Sequence, residues 1–261
     1  MIRAASSGAR FQRRRFSAVS SEVQARELVN GRRAGRRGLS WRSLRILGVL
    51  AVGVTLVASA TGVVSATPAP AREQGPARCA APAAGQPNGK QWPAEPGMTI
   101  DTNAGYTATL ATSCGTVTIA LDAARAPRTV NSFAFLAGER FFDHTKCHRM
   151  TTEGIFVLQC GDPTATGMGG PGYFFPDENL AGATYPAGTV AMANAGPGTN
   201  GSQFFLVYRD APLPPNYTPF GRVTAGMEVL SSIAAAGVQD GSGDGAPAVD
   251  VVLDSVAVVR N

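Results

Sequence analysis

Histidine is almost missing from this 261-residue chain, which has only His144 and His148. Together with Asp143 and Cys147 they make the one cluster that invites reading as a metal site. Alternation along a strand would send those side chains to opposite faces, so no metal is expected. Neither histidine has the context of a catalytic triad, and Ser202 sits in Asn-Gly-Ser-Gln-Phe rather than in a G-x-S-x-G elbow, which sets a serine hydrolase aside. The run GMGGPG at 167–172 lacks a Gly-Lys-Ser/Thr ending and is a poor phosphate cradle. No cofactor is expected. Positive charge is also scarce where a nucleic acid would need it. Residues 1–45 carry twelve Arg against Glu22 and Glu27, a net of +10, whereas residues 46–261 carry eleven basic and sixteen acidic side chains, a net of −5. The basic character belongs to the N-terminal arm alone, and binding of nucleic acid by the rest is not expected.

One long hydrophobic run is present. From Ile46 to Ala66 there are twenty-one residues without a charge. At about 1.5 Å per residue that length crosses a hydrocarbon core of about 30 Å. Arginines at 32, 33, 36, 37, 42 and 45 flank its N-terminal side, and the next charge is Arg72. The positive-inside bias then puts residues 1–45, a basic disordered arm, in the cytoplasm and everything after residue 66 outside, on a single-pass membrane anchor. The competing reading is a cleaved signal peptide ending at Val64-Ser65-Ala66, which would give a secreted protein, although a 45-residue leader is long for that. Residues 67–104 contain seven prolines among Ala and Gly up to Pro96 and read as an extended spacer.

A globular pattern occupies residues 105–261. YTATLAT and TVTIAL alternate on either side of Ser113-Cys114-Gly115, the signature of an antiparallel hairpin. Pro127 suits the first turn of a helix, Val130, Phe133, Ala134 and Ala137 recur at helical spacing, and Gly138 is a good stop. Short strands are expected around 147–152, 156–160, 188–193, 203–208 and 219–223. A second helix is expected over Met227 to Ala236 and a last strand over Val249 to Val259. Many short strands with two helices suggest a mainly β fold, a closed antiparallel eight-stranded barrel capped by the helices.

The most informative stretch is AMANAGPGTNGSQFF at 191–205, where a loop of small and amide residues runs into a strand. Gly196, Gly198 and Gly201 allow close approach of a ligand, and alternation puts Phe204 and Phe205 on opposite faces. With CHRM at 147–150 and GIFVLQCGD at 154–162, the chain from Tyr106 to Arg260 resembles the cyclophilin-type peptidyl-prolyl cis-trans isomerases. The resemblance implies the barrel fold, X-Pro isomerase activity on proline-containing polypeptides, a monomer, and neither metal nor cofactor. It implies Arg149 as the chief catalytic residue, with Phe156, Gln159 and Phe205 beside it. Val157, Ala193, Asn194, Gln203, Leu213 and Tyr217 would bind substrate, with Phe156, Phe205 and Leu213 walling the proline pocket and Gln159 orienting Arg149. The sequence departs from the family in three places. Arg149 and Gln159 are ten positions apart, two more than the commonest arrangement, Pro212 stands where many members carry Trp, and Tyr217 stands where many carry His. The rival reading is a cyclophilin-like binding module or chaperone with little catalysis, and the presence of both Arg149 and Phe205 argues against it.

Four cysteines in an exported domain point to an oxidising compartment and leave three pairings open. Cys147 and Cys160 fall on adjacent expected strands, which favours a cross-strand bridge and leaves Cys79 for Cys114; partly free thiols are the alternative.

Overall fold

The structure, a computed structural model, describes residues 79–261. The expected arm at 1–45, the hydrophobic segment at 46–66 and the first part of the spacer lie outside the described residues.

The chain opens with a hairpin of β1 (Tyr106–Thr112) and β2 (Gly115–Leu121), in register from Tyr106 opposite Leu121 to Thr112 opposite Gly115. The buried pairs Ala108/Ile119 and Leu110/Val117 fall on one face because side chains alternate along both strands. Helix α1 (Pro127–Gly138) follows, with Val130, Phe133 and Leu136 buried. Ala126, at its N-cap, has no side chain to offer. Glu178 substitutes from fifty positions away, accepting hydrogen bonds from the Arg128 and Thr129 amides at 3.1 and 2.9 Å.

The remaining elements are β3 (Thr145–Lys146), β4 (Arg149–Thr151), β5 (Val157–Cys160), β6 (Thr189–Met192), β7 (Phe204–Val207), β8 (Pro219–Ala225), α2 (Met227–Ala236), β9 (Asp244–Gly245) and β10 (Val252–Arg260). All ten strands join one antiparallel sheet in the order β3-β10-β1-β2-β8-β6-β7-β5-β4-β9. The fold is mainly β with two helices, as expected, but has ten strands rather than eight. The expected strand at 147–152 is found as the shorter β4, β3 precedes it beyond Cys147 and His148 where no strand was expected, and β9 arises in a Gly/Asp/Ser-rich loop that carries no strand signal.

One large core gathers Leu110, Ile119, Met150, Leu158, Phe204 and Leu253 from strands along the whole sheet. At its centre Phe133 of α1 meets the rings of Phe142, Phe204 and Phe220 at centroid distances of 5.0, 5.4 and 5.4 Å. A second, smaller cluster lies on the other face of β5, β6 and β7, built on Val157, Ala191, Phe205 and Val207. Alternation makes the division: Phe204 enters the large core and Phe205 the small one.

Residues 79–104 contain no helix or strand, yet polar and aromatic contacts fasten them to the domain. Cys79 is disulfide-bonded to Cys114, Trp92 packs edge-on against Phe135 at 5.1 Å, Glu95 pairs with Arg128, and Asn131 accepts from the Thr99 amide at 2.9 Å. The second bridge joins Cys147 to Cys160, so both favoured pairings are found.

Candidate active site

Four neighbouring strands set one residue each in a row across the sheet. Arg149 of β4 is the direct partner of Gln159 on β5, Gln159 is the partner of Phe205 on β7, and Phe205 is the partner of Ala191 on β6. A cation, an amide and an aromatic ring are thereby placed side by side on the face opposite the large core. Behind this row, Gly161 brings β5 close to the chain entering β7. Its φ is +89°, and a Cβ there would stand 2.3 Å from the Ser202 carbonyl oxygen, so only glycine fits.

A continuous line of hydrogen bonds crosses the floor. Asp244 accepts from Arg149 Nε and Nη2, both at 2.7 Å, and Arg149 Nη1 donates to Gln159 Oε1 at 3.3 Å. Gln159 Nε2 donates to Gln203 Oε1 at 2.8 Å, and Gln203 Nε2 donates to the Gly169 carbonyl at 2.9 Å. The loop that supplies this carbonyl is wound around Asp162. Its buried carboxylate accepts from the Thr164 hydroxyl at 2.7 Å and from the amides of Thr164, Thr166, Gly167 and Gly169 at 2.6–3.1 Å. Burial alone would raise the Asp162 pKa, but these bonds outweigh it and hold the group below the ordinary carboxylate range. At the other end, the bond to Asp244 holds Arg149 above its ordinary pKa, and the same bond lowers that of Asp244.

The row forms one side of a cleft of about 140 Å³, whose apolar lining includes Ile155, Val157, Phe205 and Leu213. Phe205 packs against Tyr217 at 5.5 Å and Tyr185 at 6.2 Å. Tyr185 is itself tied to the chain at Tyr217, donating to its carbonyl at 2.8 Å and accepting from its amide at 3.0 Å. Asn194 Nδ2 donates to the Asn216 carbonyl at 2.9 Å and joins the glycine loop to the segment carrying Leu213 and Tyr217. A larger hollow of about 540 Å³ lies elsewhere, near Asp122, Arg125 and Arg222. It has no aromatic wall, and Arg125 there is engaged by Asp122 at 2.6 Å.

The structure brings together in this cleft Arg149, Val157, Gln159, Ala193, Asn194, Phe205, Leu213 and Tyr217. Gln203 stands just behind, reached through Gln159. Phe156 is the exception among the expected pocket residues. Its ring packs with Tyr208 at 6.1 Å and lies under the Arg209 guanidinium at 3.4 Å, away from the cleft. The reason is strand parity: Gln159, Val157 and Ile155 share one face, so Ile155 takes the place in the cleft for which Phe156 was expected. The sequence reading also missed Asp244, ninety-five positions from its partner, and Tyr185, which no spacing links to Phe205. Among the described residues no group of His, Cys, Asp and Glu is arranged to hold a metal ion.

Comparison with known proteins gives a consistent result. The family model for cyclophilin type peptidyl-prolyl cis-trans isomerases matches residues 107–258. The protein named "Probable peptidyl-prolyl cis-trans isomerase B" in Mycobacterium leprae is 49% identical over 163 residues, which is 57% of this chain and 55% of that one. Peptidyl-prolyl cis-trans isomerase B of Streptomyces anulatus is 43% identical over 171 residues, covering 58% of this chain and 95% of that one. This chain thus spans about half the length of the mycobacterial relative. Among solved structures, a cyclophilin type isomerase of Cryptosporidium parvum superposes with a TM-score of 0.54 at 29% identity, covering 60% of this chain and 99% of that one. A second structure of that protein, in the presence of the dipeptide Ala-Pro, gives a TM-score of 0.53 at 30% identity and covers 59% of this chain and 99% of that one.

Proposed function

The chain belongs to the cyclophilin-type peptidyl-prolyl cis-trans isomerases, and from that premise we propose that its cleft accelerates rotation about X-Pro bonds in proline-containing polypeptides. The observation that carries the reading is Arg149 beside an apolar wall. Asp244 and Gln159 occupy three of the five guanidinium N–H groups, which leaves one N–H on each of Nη1 and Nη2 for a substrate. An X-Pro bond resists rotation by about 18–20 kcal/mol because twisting breaks amide resonance. At the top of that barrier the prolyl nitrogen is pyramidal and basic, so a fixed cationic donor favours the twisted state over either planar one. Phe205, Leu213, Val157 and Ile155 would take the prolyl ring out of water and strengthen that hydrogen bond. The chemistry requires neither a nucleophile nor a metal.

In this reading the sheet works as a barrel. β3 and β4 are consecutive pieces of one segment, the first paired with β10 and the second with β5, so the chain itself joins the two ends of the sheet. Counting that segment once and leaving out the two-residue β9 gives eight staves.

The test of function is Arg149→Ala in a protease-coupled assay on an X-Pro peptide. It should lower kcat/KM at least tenfold, about 1.4 kcal/mol, with the fold intact. Full activity in that variant would refute the mechanism and favour a proline-peptide binding module.

We further propose that the domain works outside the cytoplasm on exported proteins, held by residues 46–66 as a single-pass anchor. The uncharged run with its arginine flank supports this, as do four cysteines paired in two disulfides. Protease added to intact spheroplasts should digest the chain beyond residue 100 and spare the N-terminal arm. Protection of the whole chain would reverse the topology, and a mature N-terminus near Thr67 would replace the anchor with a cleaved signal.

A further inference from the structure

We propose that Asp244 is a positioning residue for the isomerase reaction, acting through Arg149. The inference rests on the function proposed above and deepens it. An arginine side chain has four rotatable bonds and, on the first residue of a three-residue strand, little to fix its guanidinium plane. Gln159 offers one acceptor at 3.3 Å, which fixes a point and not a plane. Asp244 supplies the plane, since its two oxygens take Nε and Nη2 side-on at 2.7 Å each. With that edge occupied, the two free N–H groups are confined to the remaining part of the guanidinium of a residue that lines the cleft.

The loop that carries Asp244 is held by contacts that do not involve its side chain. Asp244 and Gly245 pair with Thr151 and Met150, the Thr152 amide donates to the Gly243 carbonyl at 2.7 Å, and the Gln239 amide donates to the Ala246 carbonyl at 2.9 Å. The Ser242 amide and hydroxyl donate to Asp240 Oδ1 at 3.0 and 2.7 Å, which closes the turn. The carboxylate is therefore delivered to Arg149 by a preformed loop, and its removal should leave that loop in place. The pair is half-exposed, so its worth lies in aim more than in stability.

The experiment uses Asp244→Ala, Arg149→Ala and the double variant of the full chain, assayed on a tetrapeptide with a central Ala-Pro bond. Asp244→Ala should lower kcat about tenfold and leave KM within about twofold, because the loss falls on the twisted state. In the Arg149→Ala background the same change should have no effect. The Arg149 Nε–H resonance, slow to exchange with water in the wild type, should be lost to exchange in Asp244→Ala. A wild-type kcat in Asp244→Ala overturns the inference, as does an undiminished effect in the Arg149→Ala background, which would mark a structural role. An inactive wild type overturns the proposed function and this inference with it, so the two failures are told apart.

Discussion

His148 immediately precedes Arg149, and neither of its ring nitrogens has a hydrogen-bond partner. Burial pushes its pKa down, Asp162 pulls it up, Arg149 pushes it down again, and the outcome lies below the ordinary 6.5. The unfolded chain therefore takes up this proton first as the pH falls. The contribution of His148 to stability is complete above about pH 6.5 and is lost progressively as the pH drops toward the folded value. Thermal unfolding of the wild type should weaken from pH 7 to pH 5, and His148→Leu should flatten that dependence; equal slopes for the two proteins would exclude His148 as its source. The same scale shows how far the site can be read from sequence. Arg149, Gln159 and Phe205 are legible because three motifs fix them in order, and the sheet register then sets them in one row. Ile155 was legible too, by counting back in twos from Gln159. Transfer of Phe156 from the family pattern does not fit the cleft because Phe156 stands three positions before Gln159, an odd count that alternation turns to the other face. Asp244 gave no signal, since one aspartate in a loop of Gly, Ser and Asp cannot be told from its neighbours.

At the scale of elements, the pairing of β4 with β5 is only two residues long, Arg149 with Gln159 and Met150 with Leu158. So short a ladder is a weak support for two groups whose relative aim matters. The Cys147–Cys160 bridge closes it from the end where the chain leaves β5, thirteen positions apart in sequence. By chain entropy such a loop contributes about 3 kcal/mol. Replacing both cysteines by serine should lower the free energy of unfolding by roughly that amount, measured in denaturant, and should lower kcat/KM as well. Unchanged stability and activity would show that the short ladder suffices alone. Helix α1 illustrates the division between local and distant information. Pro127, the apolar spacing and Gly138 announce its start, face and stop, while its true cap, Glu178, lies in a loop that no local rule connects to it. β9 was illegible for the corresponding reason, because its two residues have low strand propensity and pair only because β4 presents an open edge.

For the molecule as a whole, composition announced an extended segment before the barrel but could not show that residues 79–104 are fastened to it. Asn88 and Trp92 of the segment, and Asn131 of α1 that receives it, help to fasten it through contacts with residues distant in sequence, and none of these leaves a period in the sequence. The hairpin and the helices were legible because their apolar residues recur at the period of the element. The segment that brings Leu213 and Tyr217 to the cleft reads Pro-Leu-Pro-Pro-Asn-Tyr from residue 212. Three imide bonds must reach their native isomers before that wall exists, and each equilibrates in tens to hundreds of seconds without help. An isomerase built this way would be a client of its own finished copies. Recovery of activity on refolding should then show a lag that shortens with protein concentration and disappears when a little native enzyme is added, whereas a lag independent of both would mean that each chain matures alone.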